Sequence, residues 1–186
     1  MSDDSEARWS PADNPYAIAV SQSQWALWAA QLFARDAKEN CGDVQSEMYA
    51  RQIFGQVRAL QRCAEMMARE LKRLGVDKAH RDHLRQAIRE FEAAVPGAKS
   101  ARDILEHFDE YARGEGKLVK QAMRDLGIDV YEAAAMYWGS VYDPSTEEVT
   151  EGPFVIVIPA ALESAVRLQR AIYAAGQAVD RHRASS

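Results

Sequence analysis

The stretch Val57-Arg-Ala-Leu-Gln-Arg-Cys-Ala-Glu-Met-Met-Ala-Arg-Glu-Leu-Lys-Arg-Leu74 decides the fold. Val57, Leu60, Ala64, Met67, Leu71 and Leu74 recur alternately three and four apart. That is the seam of a helix lying lengthwise against others in a bundle. The helix reads back to Asp43, a residue type that caps N-termini, and forward to Gly75, which breaks it. Beside the seam run Arg51, Arg58, Arg62, Arg69 and Arg73, spaced seven, four, seven and four. Such a row is either a basic track for a nucleic-acid backbone or a solvated face supported by Glu47–Arg51 and Glu65–Arg69 pairs.

Helical patterns flank this one on both sides. Pro15, a good helix starter, opens a helix with Val20, Leu27, Trp28 and Phe33 among its apolar positions, closed by Asn40-Cys-Gly42. Trp25 gives it a second apolar face, as in a central helix or an oligomer interface. Trp25, Trp28, Tyr137 and Trp138 read as core or interface side chains rather than base-stacking platforms. Downstream, Asp77 caps a helix whose stripe is Leu84, Ala87, Ile88, Phe91 and Val95, stopped by Pro96-Gly97. His80 and His83 near its start lack a carboxylate or thiol at matching metal-ligand spacing and read as surface residues.

Towards the C-terminus the texture changes. Residues 117 to 126 are again helical, with Gly127 as the stop. Ala135-Met-Tyr-Trp-Gly-Ser-Val-Tyr142 and Phe154-Val-Ile-Val-Ile158 are rich in β-branched and aromatic residues. The polar segment 143–153 lies between them, so a β-hairpin with a long loop is expected over about 135–158. Pro159 starts a last helix carrying Ala165, Leu168, Ile172, Ala175 and Val179. The expected fold is an all-α antiparallel bundle of about five helices, with the hairpin inserted before the last. Residues 1–14 read as a flexible tail that Trp9 pins down, 15–182 as one domain, and 183–186 as a second tail.

The composition is that of a globular chain. Of 186 residues, 47% are hydrophobic and 27% charged, enough for a real core. The net charge of −5 argues against wholesale coating of nucleic acid but not against a local basic site. Two cysteines, Cys41 and Cys63, make neither a disulfide framework nor a metal cluster, so a reducing cytoplasm is expected. The N-terminus lacks signal-peptide features, and no window approaches the run of about 18 apolar residues that spans a bilayer. No cofactor motif, metal motif or membrane partner is expected.

One constellation suggests chemistry, in Ser100-Ala-Arg-Asp-Ile-Leu-Glu-His-Phe-Asp-Glu-Tyr111. Ser100 reads as an N-cap answered by Asp103, with Ile104, Leu105, Phe108, Tyr111 and Ala112 as the apolar stripe of a helix from 100 to about 112. Arg102 in a first helical turn would oppose the macrodipole, which with Lys99 suggests an anion site at the helix N-terminus. His107 follows five residues later. The alternative is an Arg102–Glu106 pair with a histidine hydrogen-bonded to a carboxylate.

Arg102-Asp-Ile-Leu-Glu-His107 has the form R-x4-H, and here the chain resembles the HEPN superfamily of small helical bundles. Asp103 stands where members often carry asparagine, and Asp109 where an aromatic residue is common. The resemblance implies metal-independent RNA cleavage, of toxin or antiphage-defence type. His107 would act as general base or acid at the ribose 2′-hydroxyl, and Arg102 would hold the scissile phosphate. Lys99, Asp103 and Tyr111 would contact the substrate. Five residues of ideal helix separate two side chains by about 140° around the axis and roughly 7.5 Å along it. One chain alone therefore makes a poor pair, and the resemblance implies a two-fold homodimer. The other expectation is a non-catalytic module whose hairpin and aromatic first helix bind a protein partner; an antitoxin is the partner a toxin would imply.

Overall fold

The computed structural model describes residues 10–185. Trp9 and the pinning expected of it lie outside the described residues. The chain is predominantly all-α, with a small antiparallel sheet before the last helix. The helices are α1 (Pro15–Glu39), α2 (Val44–Arg73), α3 (Lys78–Ala94), α4 (Ala98–Glu106), α5 (Phe108–Ala112), α6 (Lys117–Leu126), α7 (Val130–Ala135) and α8 (Ile158–Ala184). Strands β1 (Ser140–Asp143), β2 (Glu148–Glu151) and β3 (Phe154–Val157) precede α8.

The bundle proper is α1, α2, α3 and α8. Asp43 and Asp77 cap as their chemistry suggests, Asp77 Oδ1 accepting the Ala79 N–H at 2.6 Å. Along the α2 seam Val57, Leu60, Ala64, Met67 and Leu71 are all but fully buried. Phe33 stacks on Tyr49 across the α1–α2 turn, and Gln61 donates to Glu92 at 2.7 Å between α2 and α3. At the far end the Tyr16 hydroxyl donates to Asp180 at 2.9 Å, so α8 runs antiparallel to α1. The expected N-terminal tail is, over Ser10–Asn14, a 3-10 turn fastened to α8. Arg183 donates to Asn14 and to the Asp13 carbonyl there, and α8 runs on to Ala184 where a second tail was expected.

Three elements differ from expectation. The outer β segments do not pair with each other; both pair with β2, which lies inside the expected loop, in the order β1-β2-β3. Glu148-Val-Thr-Glu151 looks polar, yet its alternation buries Val149 and Glu151 on one face. Residues 135–139 close α7 and turn rather than forming strand. The helix expected over 100–112 begins two residues earlier and breaks at His107.

A second, smaller core of Ile104, Tyr111, Val119, Ala122 and Ala133 ties α4 to α7. Phe154 packs against both cores. The surface between them is where α2, α4–α5 and the sheet meet.

Candidate functional site

Gly97 sets where α4 begins. Its φ of +78° is a conformation glycine adopts freely. A Cβ there would lie 2.1 Å from Phe154 Cδ1, so only glycine lets β3 close on the turn. Ser100 is thus inside the helix and does not cap it, and Arg102 sits in the second turn rather than the first. Lys99 is exposed near the N-terminus. The Ser100–Asp103 capping box is not formed, because the left-handed turn at Gly97 already launches the helix.

His107 is the joint between α4 and α5. Its N–H donates to the Asp103 carbonyl at 3.0 Å, and its own carbonyl accepts from Glu110 at 2.9 Å and Tyr111 at 3.1 Å. With φ −114° and ψ 33° it ends one helix and opens the next. The imidazole is half exposed, its Nε2 4.0 Å from Asp103 and its Nδ1 3.6 Å from Glu110. Asp103 also accepts from the Tyr111 hydroxyl at 3.3 Å. Burial, then the adjacent Asp103 carboxylate, pushes the Tyr111 phenol up to about 12. Gly116 packs so closely that a Cβ would meet the Tyr111 ring, and Tyr137 stands edge-on to that ring at 5.9 Å.

Arg102 projects from the neighbouring face and pairs with Glu106. It opens on a groove of about 750 Å³ between the two cores. Arg51 and Gln52 of α2 form one wall, Phe108 and Tyr111 another, and Tyr137, Trp138, Ser140 and Glu151 the third. Of the residues expected at a site, Arg102 and Tyr111 line this groove; Lys99, Asp103 and His107 do not. The structure therefore brings Arg102 to the groove and leaves His107 on the adjoining surface.

The groove's most unusual group is Glu151. Its side chain is 2% exposed, faces Ser140 across the β1–β2 ladder and accepts that hydroxyl. Arg51 Nε lies 3.2 Å from its Oε2. Burial raises its pKa above the ordinary glutamate value, while Ser140 and Arg51 pull the other way. This pair rearranges the expected arginine row. Arg51 turns to Glu151 and Glu65 pairs with Arg58 at 2.8 Å, while Arg73 pairs with Glu70 at 2.7 Å. Arg51, Arg58 and Arg73 are thus paired with carboxylates, in place of the expected Glu47–Arg51 and Glu65–Arg69 pairs.

No family model, curated protein or solved structure matches the chain. Among the described residues, no group of three or more His, Cys, Asp or Glu side chains is disposed to hold a metal ion. No helix among them is long and apolar enough to cross a membrane. What the site offers is a guanidinium and several aromatic side chains lining one groove, with a half-exposed imidazole on the adjoining surface.

Proposed function

We propose that this protein is a HEPN-like metal-independent endoribonuclease of toxin or antiphage-defence type, acting as a homodimer. The observation that carries the reading is the helix break at His107, which leaves a titratable imidazole half exposed one turn beyond a groove-facing arginine. In the proposed reaction His107 takes the proton of the substrate's 2′-hydroxyl. The 2′-oxygen attacks phosphorus, the bond from phosphorus to the 5′-oxygen breaks, and a 2′,3′-cyclic phosphate remains. The 5′-oxygen takes a proton from solvent water to leave as a 5′-hydroxyl, while His107 returns its own proton to solvent. Arg102 neutralises the charge that grows on the phosphoryl oxygens. To do so it exchanges Glu106 for phosphate, a swap within reach because the Arg102–Glu106 pair is partly exposed, and such pairs contribute about 0–1 kcal/mol.

The two side chains diverge within one protomer, Arg102 towards Glu106 and His107 towards Asp103 and Glu110. A two-fold arrangement that sets His107 of one protomer beside Arg102 of its partner resolves this. Metal-free cleavage tests the reading. RNA incubated in EDTA is cut by the wild-type protein, and cutting is lost in His107→Ala and Arg102→Ala. Equal cutting by all three, or none by the wild type with its dimer intact, overturns it.

A specific observation favours a second reading. Trp25 and Trp28 stand edge-to-face on α1, 61% and 50% exposed, and Val141, Val155 and Val157 are exposed on the sheet. These faces suit a non-catalytic module that binds a protein partner. Absence of cleavage by the wild type moves the assignment there.

A further inference from the structure

We infer that the groove beside Arg102 is a nucleobase pocket, in which one base of an RNA strand stacks on Trp138 while the adjoining phosphate stays at the rim. This rests on the ribonuclease reading and specifies which part of the substrate the groove takes. Charge decides between base and phosphate. The groove is lined by two guanidiniums, Arg51 and Arg102, and by three carboxyl groups, Glu47, Glu106 and Glu151. Arg51 is already committed to Glu151, which is buried and cannot follow a ligand outward. A phosphate deep in the groove would meet an excess of carboxylates, whereas an uncharged base meets none of that repulsion.

Shape and surface chemistry agree. The volume of about 750 Å³ falls within the roughly 300–1,000 Å³ usual for small-molecule pockets. Trp138 and Phe108 line it yet are 65% and 57% exposed, so of the core or interface setting expected of Trp138 the core is excluded, and both rings are open to a ligand. Exposed rings beside a cation are the elements of single-strand recognition, in which bases stack and the backbone tracks the charge. Polar groups for a base edge are present as well. The Gln52 amide both donates and accepts, and Arg51 retains N–H groups beyond those directed at Glu151.

The test separates base binding from cleavage. In a His107→Ala background the RNA stays intact, and its affinity is measured by calorimetry with a short single-stranded oligonucleotide. Trp138→Ala weakens binding by roughly 5- to 150-fold, the loss of one base–aromatic stack. Trp138→Phe restores most of it, and Trp25→Ala, an equally exposed tryptophan on α1, changes nothing. An oligonucleotide with one abasic position reproduces the Trp138→Ala loss in the parent and adds none in the variant. If the wild type cuts RNA but Trp138→Ala binds as the parent does, the pocket inference falls and the ribonuclease reading stands. If RNA is neither bound nor cut, both fall.

Discussion

Replacing Arg51 by Met removes the cation facing Glu151 while keeping a stem of similar length. Glu151 is 2% exposed, so its carboxylate cannot turn to water for compensation; only the Ser140 hydroxyl remains. Breaking a wholly buried pair costs about 3–5 kcal/mol. The Arg51 side chain is 44% exposed, so solvent screens the pair and the expected loss is nearer the roughly 1–3 kcal/mol of one unsatisfied buried group. For a chain of this size that is a fall in Tm of roughly 2–12 °C. The loss depends on pH. Burial already holds the Glu151 pKa above its unfolded value, and removing Arg51 raises it further. A carboxyl whose folded pKa is raised binds its proton more tightly in the folded state, so stability rises as pH falls through that pKa. The variant begins this gain at higher pH than the wild type. The gap between them therefore narrows as both folded carboxyls protonate. Urea unfolding from about pH 8 down into the ordinary glutamate range near about pH 4 measures it. A loss of constant size across that range refutes the electrostatic account, as does an undiminished loss when Glu151→Gln is already present.

Two further substitutions probe the elements that hold the site. Gly97→Ala forces an L side chain to φ +78° and into the Phe154 ring, costing about 1–3 kcal/mol in urea unfolding; measured against Phe154→Ala alone the same substitution costs less, because the clash is gone and only the backbone strain remains, and a neutral result for Gly97→Ala contradicts the account of where α4 begins. Asp129→Ala removes the acceptor of the Tyr131 and Glu132 N–H groups at 2.8 and 2.9 Å, costing about 0.5–2 kcal/mol and speeding amide exchange across α7; unchanged exchange there contradicts the capping account.

The bundle was legible because its signals are local. The three-four seam of α2, the caps Asp43 and Asp77 and the stops at Gly75 and Gly127 each act within a turn or two of their own residue. α7 was legible in principle and missed: Asp129 and Glu132 form a capping box that the sequence displays. The start of α4 was misjudged because Ser100 has the chemistry of a cap, whereas Gly97 is required by Phe154, which is far away in sequence. β2 is the hardest case. Glu151 enters a buried face only because Arg51, a hundred positions earlier, and Ser140 on the adjacent strand receive it. No spacing rule within β2 carries that information. The groove inherits the same difficulty, since α2, α4–α5 and the sheet contribute its walls from distant segments. Arg102 stands out from a local motif and Tyr111 from the apolar stripe beyond it, while Glu151 and the exposed settings of Phe108 and Trp138 emerge only from the packing.

The central claim is that His107 activates the hydroxyl of the substrate itself. The most direct measurement compares, in EDTA, cleavage of one RNA oligonucleotide with its 2′-O-methyl counterpart, reading the new 3′ ends by mass spectrometry. The account predicts 2′,3′-cyclic phosphate ends from the RNA, no cutting of the methylated strand, and neither product from His107→Ala. Cleavage of the methylated strand, or 3′-hydroxyl ends from the RNA, would contradict it.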